Sequence, residues 1–292
     1  MTPTPGLGRY VGHRRLGKLS NIKYRVENLE WDAAFEVLMR DVQDDQTGGY
    51  LLKPKELAMK AKLWPGRLSV QTLNQGASNA CFDGTNFFAT SHTIGGYATG
   101  TPPQFTSGAA NKFALTAAAS DGATHRLVFL ICDHPMKPLL YQSRKEPEFM
   151  TDADSPASRF AKKIRYWIDM ESAVAYGFWY LAILVDITNT PTLTELQTIL
   201  TGVNSAFRSF TLPTSAPGDI PEYVHAIHEF NPETTMTVCS PGLEILMRQV
   251  LHNEVIVSSG APITNVFKGW SGLMCSGDLD PNVAAIDFSS AG

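Results

Sequence analysis

Residues 28–41 read NLEWDAAFEVLMRD and alternate with a period of two. Leu29, Trp31, Ala33, Phe35, Val37 and Met39 fall on one face of an extended strand, with Glu30, Asp32, Glu36 and Arg40 on the other. Such alternation predicts a half-buried β-strand. The strand is long and comes early, and its apolar stripe needs a cover. Just before it, Ile22, Tyr24 and Val26 also alternate, and Glu27-Asn28 can form a two-residue turn. The segment therefore reads as a long β-hairpin, although it lacks the Asn-Gly or Asp-Gly pair that marks such turns best.

After the hairpin, VQDDQTGGY (42–50) breaks the pattern. PKELAMKAKLWPGRLSVQTLNQG (54–76) has helical composition, with Pro54 suited to a first turn and Gly76 to a C-cap. Pro65-Gly66 predicts a kink or two helices in series. CFDGTNFFATSHTIGGYATGTPPQFTSG (81–108) is loop-like, rich in Gly, Thr and Pro. Three strand candidates follow, HRLVFLICD (125–133), KPLLYQSRK (137–145) and ESAVAYGFWYLAILVD (171–186), and residues 125–187 read as antiparallel sheet. The intervening EPEFMTDADSPASRFAKKIRYWIDM (146–170) reads as partly loop and partly strand.

The last third is α+β. Thr192 with Glu195 makes a capping box, and Leu193, Leu196, Ile199, Leu200, Val203 and Phe207 recur at helical spacing. TTMTVC (234–239) reads as a buried strand. Ser240 follows as N-cap, Pro241 as first helical residue, and GLEILMRQVLHN (242–253) as the helix.

The totals bound the function classes. At 292 residues, 43% hydrophobic and 18% charged, the chain can build a core without staples. A net charge of −4 with no run of one sign argues against a surface that grips phosphates, though not against enclosing nucleic acid. Cys81, Cys132, Cys239 and Cys275 form no C-x-x-C pair and read as reduced thiols. MTPTPGLGRY lacks the apolar core of a secretory signal, and no segment reaches the length of a membrane span. A soluble protein made in a reducing cytoplasm is expected.

Few residues suggest chemistry. HAIHE (225–229) places His225 and His228 three apart beside Glu229, which gives a metal-dependent hydrolase as one reading; the spacing is not H-E-x-x-H. Ser91 next to His92 rarely has the geometry of nucleophile and base. The glycine-rich TIGGYATG lacks the Lys-Ser/Thr ending of a phosphate loop, and Asp44-Asp45 reads as a solvated turn. No catalytic residue, metal or cofactor is expected.

Read in order, five segments resemble the Mu-like bacteriophage major head subunit family. They are YVGHRRLGKLSNIKYRVENLEWDAAFEVLMRDVQDD (10–45), CFDGTNFFATSHTIGG (81–96), LVFLICDHPMKPLLYQSRKEPEF (127–149), AYGFWYLAILV (175–185) and TTMTVCSPGLEILMRQVL (234–251). The third, with its Lys-Pro and Gln-x-Arg-Lys-x-Pro-Glu pattern, is the most specific.

The resemblance implies an α+β fold of the Hong Kong 97 (HK97) capsid type, with an extended E-loop hairpin, a spine helix, a P-domain sheet and an A domain. It divides the chain into a short N-terminal arm and E-loop hairpin (1–43), a P domain with spine helix and antiparallel sheet (44–190), and an A domain (191–292). Family members usually carry several dozen residues before the hairpin, so the arm that ties subunits together is expected to be largely missing here. Its work then falls to other contacts or a second protein, or the natural start lies further upstream.

The implied function is a major capsid protein that self-assembles into an icosahedral phage head around double-stranded DNA. An encapsulin-like nanocompartment shell is the alternative of the same fold. The partners implied are copies of the chain itself in hexamers and pentamers, together with portal, scaffold and decoration proteins; DNA is enclosed without sequence-specific binding, and no membrane is involved. The location implied is the virion, after assembly in the host cytoplasm. The stripe from Leu29 to Met39 would then be covered partly by its partner strand and partly by another copy. Inter-subunit contacts are expected at Arg14, Arg15 and Lys18, at Trp31 and Phe35, and at Arg144, Lys145, Glu146 and Glu148, which read as a loop of both signs suited to salt bridges.

Overall fold

The structure, a computed structural model, describes residues 26–45, 48–92, 109–153, 155–212, 222–223, 225, 229–258 and 261–280. In chain order the elements are β1 (Leu29–Leu38), α1 (Met39–Gln43), α2 (Gly49–Gln75), β2 (Lys112–Thr116), β3 (Thr124–Ile131), β4 (Leu139–Thr151), α3 (Pro156–Ala161), β5 (Lys163–Tyr176), β6 (Ala182–Thr188), α4 (Leu193–Ser209), β7 (Thr211–Leu212), β8 (Glu222–Tyr223), β9 (Thr235–Cys239), α5 (Glu244–His252), β10 (Val255–Ser258), β11 (Ala261–Thr264) and β12 (Gly272–Cys275). They form two compact units, and the chain passes between them after Thr72, Leu139 and Ala175.

One unit holds β1, most of α2, and the long strands β4 and β5, in a three-stranded sheet of order β1-β5-β4. The alternation of 28–41 does produce a strand over Leu29–Leu38, but Met39 to Asp41, read as its continuation, turn into helix α1. The strand's described partner is β5, antiparallel, with Trp31 opposite Met170 and Phe35 opposite Tyr166. The expected pairing with residues 22–26 lies outside the described residues. The apolar stripe faces the unit's own helix. Trp31, Phe35 and Trp64 pack on a buried cluster of Leu57, Ala61, Ile168 and Met170. Cover for the stripe therefore comes in part from α2 of the same chain, because helix and strand present apolar faces that exclude water together.

Helix α2 runs unbroken for 27 residues with Pro54 and Pro65 inside it, so Pro65-Gly66 does not split it into two helices. The Asp45 carboxylate accepts the N–H of Tyr50, in the first turn of the helix, at 2.9 Å. Gly76 follows the last helical residue at the expected C-cap position, its N–H donating to the Leu73 carbonyl at 3.1 Å, and a Cβ there would stand 2.7 Å from the Phe88 ring.

The other unit is built on a five-stranded sheet, β12-β9-β3-β6-β2. β3 and β6 pair antiparallel with each other, as the reading of 125–187 expects, but their outer neighbours are β9 and β2, and the 137–145 strand lies in the other sheet. The reason is hydrophobicity on both faces. Leu127 to Ile131 are all buried, as a central strand covered on both sides must be. The boundaries expected at residues 43/44 and 190/191 do not coincide with those of the two units.

The segment read as one strand, 171–186, is broken. β5 ends at Tyr176, a 3₁₀ turn covers Trp179–Leu181, and β6 begins at Ala182. Gly177 makes the break, since a Cβ there would lie 1.9 Å from the Lys137 carbonyl oxygen. Its own N–H donates to the Pro138 carbonyl at 2.8 Å.

The capping box of α4 is complete, with Thr192 and Glu195 bonding reciprocally, and Leu196, Ile199, Leu200, Val203 and Phe207 are buried. α4 packs against α5. Ser240 and Pro241 open a 3₁₀ turn, Pro241–Leu243, before α5 starts at Glu244. The Ser240 hydroxyl makes no helix cap and accepts the Arg126 N–H at 3.3 Å.

Candidate assembly surfaces

Arg144, Lys145, Glu146 and Glu148 lie on β4, not in a loop. β4 is 13 residues long, is at the edge of its sheet, and is largely exposed on both faces from Tyr141 to Phe149. Pro147 sits within it, a residue that sheets tolerate at an edge, where the missing N–H has no partner to lose. Each charge has a partner in the same subunit. Arg144 reaches Glu171 of β5 at 3.2 Å with its side chain 72% exposed, Lys145 reaches Glu148 at 3.4 Å, and the Ser143 hydroxyl donates to Glu146 at 2.7 Å.

The polar face of β1 carries like charges against β5. Glu30 is opposite Glu171 and Asp32 opposite Asp169, while Glu36 is opposite Arg165. Glu36 is hydrogen-bonded by Lys163 and, at 3.2 Å, by Arg165. These bonds hold its carboxyl below the usual range.

Trp31 and Phe35 are turned toward α2 and remain half-buried. The Trp31 indole N–H donates to the Ser172 carbonyl at 3.1 Å, its ring lies 4.8 Å from Trp64, and Phe35 stacks on Tyr166 at 5.1 Å. Tyr166 in turn stacks with Phe149 of β4 at 6.1 Å, which carries the aromatic row across all three strands. Arg14, Arg15 and Lys18 lie outside the described residues.

Further apolar surface was not singled out from the sequence. Phe160 on α3 is 95% exposed, and Leu52, Met59 and Leu63 of α2 are also exposed. Spacing cannot tell a helix's outward apolar residues from its inward ones when both faces carry them.

Of the residues that suggest chemistry, His225 and His92 have structural partners. His225 is buried, and its Nε2 lies 3.0 Å from the Tyr180 carbonyl oxygen; Glu229 is exposed, and His228 lies outside the described residues. Among the described residues no cluster of His, Cys, Asp and Glu could hold a metal ion. The hydrolase reading finds no support in this geometry.

Ser91 is exposed, whereas its neighbour His92 is fully buried. His92 Nδ1 is 2.8 Å from Asp83 Oδ2, its Nε2 is 3.1 Å from Asn111 Oδ1, and its ring stacks on Trp179 at 4.0 Å. The Asn111 amide donates to the carbonyls of Phe87, Trp179 and Ala182. Cys81 Sγ donates to Asp83 Oδ1 at 3.0 Å. This polar cluster is closed by its own partners and fastens the 81–92 loop to β6 and the turn before it. Burial alone would raise the Asp83 carboxyl, but hydrogen bonds from His92, Cys81 and the Thr85 N–H outweigh it and hold the group below its usual range.

Comparison with known proteins gives a consistent picture. A family model described as Mu-like prophage major head subunit gpT matches residues 1–278. The Mu-like prophage FluMu major head subunit of Haemophilus influenzae is 31% identical over 182 residues, which is 61% of this chain and 57% of that relative's length. The chain thus spans little more than half of that relative. The major capsid protein of Escherichia phage Mu is 24% identical over 269 residues, 91% of this chain and 80% of its own. Among solved structures, the bacteriophage JBD30 capsid superposes with a TM-score of 0.68 at 18% identity, covering 96% of this chain and 84% of that one. At that identity the likeness speaks for the fold, which is that of a phage capsid protein.

Proposed function

This chain belongs to the Mu-like prophage major head subunit family, and we propose that it is the repeating subunit of an icosahedral phage head that encloses double-stranded DNA. The observation that carries the reading is β4, a 13-residue edge strand exposed on both faces. A long open edge is a hazard for an isolated chain and an advantage for one whose neighbours cover it. Contacts repeated by symmetry can each be modest while the closed shell is stable.

Within the shell, β1 and the residues before it serve as the E-loop, α2 as the spine, β4 and β5 as the P-domain strands, and the segment after Thr190 as A domain. Arg144, Lys145, Glu146 and Glu148 contact neighbouring copies, in addition to their partners in the same chain. Trp31 and Phe35, only half-buried by α2, keep surface for a second copy, and Arg14, Arg15 and Lys18 supply positive charge at the start of the chain. The copies group as hexamers and pentamers, and portal, scaffold and decoration proteins complete the particle. A net charge of −4 suits an inner wall that holds DNA without gripping it or reading its sequence. No helix among the described residues is long and apolar enough to cross a membrane, and the proposed site of assembly is the host cytoplasm, with the virion as destination.

Negative-stain microscopy of the expressed chain tests the proposal. Closed shells or hexameric and pentameric rings are expected; a monodisperse monomer at high concentration, alone and with the other head proteins, overturns it. Nuclease-protected DNA within particles separates a phage head from a nanocompartment.

A further inference from the structure

Two of the four cysteines meet across a strand pair. In the parallel register of β9 and β12, Cys275 is the direct partner of Cys239, and partners in a sheet project their side chains to the same face. Strands in a sheet run about 4.8 Å apart, inside the window of about 4.4–6.8 Å between Cα atoms that a disulfide accepts. The Glu244 carboxylate, at the start of α5, acts electrostatically on both thiols. Arg248 grips the same carboxylate, with nitrogens 3.0 Å and 2.8 Å from Glu244 Oε1. Cys239 is fully buried, whereas Cys275 is partly open to solvent. β12 is an edge strand of four residues, so a small shift to close the bond meets little resistance. Both thiols are free in this structure.

We propose that Cys239 and Cys275 are a modification site, a dithiol that closes to a disulfide stapling edge strand β12 to β9 when the protein leaves a reducing compartment. The oxidant is a small-molecule disulfide. Cys275, the accessible thiol, gives up its proton to solvent and attacks one sulfur of the oxidant, expelling a thiolate that takes up a proton. The Cys239 thiol, deprotonated in turn, attacks Cys275 in the mixed disulfide and releases the second small thiol. Two protein thiols are oxidised, one small disulfide is reduced to two thiols, and two protons are transferred with them. Burial raises both thiols, that of Cys239 up to about 12, and only Cys275 is open to the oxidant, so the exchange starts there. The inference concerns the subunit alone and stands apart from the shell reading.

The test uses the purified full chain, incubated with oxidised glutathione or with dithiothreitol, denatured in an alkylating agent and mapped by mass spectrometry. The expected result in glutathione disulfide is a cross-link between the peptides carrying Cys239 and Cys275, loss of two of the four alkylatable thiols, and a higher thermal midpoint. Dithiothreitol reverses all three. Cys275→Ser, at a partly exposed position, removes the cross-link and the rise in midpoint. The proposal is overturned if the fully oxidised sample holds only glutathione adducts, if Cys239 joins Cys81 or Cys132, or if all four thiols still alkylate.

Discussion

Asp83 and His92, nine residues apart in a segment with no helix or long strand, form a buried pair: Oδ2 and Nδ1 are 2.8 Å apart, with side chains 4% and 0% exposed. Both lie where the 81–92 loop meets Trp179 and Asn111. A pair so enclosed matters more through what its loss leaves behind than through its own attraction, because an orphaned partner stays out of water.

Replacing Asp83 by Asn is therefore expected to destabilise the unit by about 1–3 kcal/mol, the usual cost of leaving a buried hydrogen-bonding group without its partner. Urea denaturation followed by Trp fluorescence measures this. A change below ~1 kcal/mol would mean that solvent reaches the pair.

The same carboxyl sets an acid limit. Its folded value is held below the unfolded one of about 3.9, so its contribution is complete above that value and is lost as pH falls through the folded one. Wild-type stability should fall faster than that of the Asp83→Asn variant as the pH is lowered below about 4. Parallel curves would show that other carboxyls dominate acid unfolding.

Gly177→Ala tests the break between β5 and β6. A methyl group 1.9 Å from the Lys137 oxygen cannot be accommodated by a side-chain rotation, because the obstacle is backbone. We expect insoluble protein, or a loss of at least ~3 kcal/mol, in the range of severe single-residue effects. Wild-type stability would show that the 137–139 strand entry can move aside freely.

Arg144→Glu separates folding from assembly. The Arg144–Glu171 pair is exposed enough that its loss should change subunit stability by no more than about 1 kcal/mol. Shell yield in the microscope should drop strongly if Arg144 meets a neighbouring copy. Wild-type yield would confine Arg144 to its partner within the chain.

Phe160→Ser addresses the α3 tip. A side chain 95% exposed adds nothing to the core, so the thermal midpoint of the subunit should hold while assembly weakens. Unchanged assembly would remove this tip from the contact surface.

Much of the fold was legible because period and caps are local. Strand β1, helix α4 with its Thr192–Glu195 box, β9 and the helix after Pro241 all follow from neighbours within a few residues. Prolines misled twice in α2, where flanking turns held the helix through Pro54 and Pro65. The strand read at 137–145 runs on to Thr151, and its mixed charges Arg144 to Glu148 suggest a loop only because a strand exposed on both faces has no apolar alternation to mark its extent. His92 was noticed for the wrong neighbour: its partner is Asp83, not the adjacent Ser91.

Alternation settled by itself that Leu29–Leu38 form a strand with one apolar face, since side-chain direction in extended backbone depends only on parity, whereas the turn into α1 at Met39 has no signal in that alternation. Which strand pairs with it was decided by the tertiary structure. β5 lies more than a hundred residues along the chain, in register from Leu29–Ser172 to Leu38–Lys163, and no local signal specifies a partner at that distance. The same holds for Asp83 with His92 and for Cys239 beside Cys275. Each residue type is visible in the sequence, but contact and exclusion of water arise only when remote segments pack together.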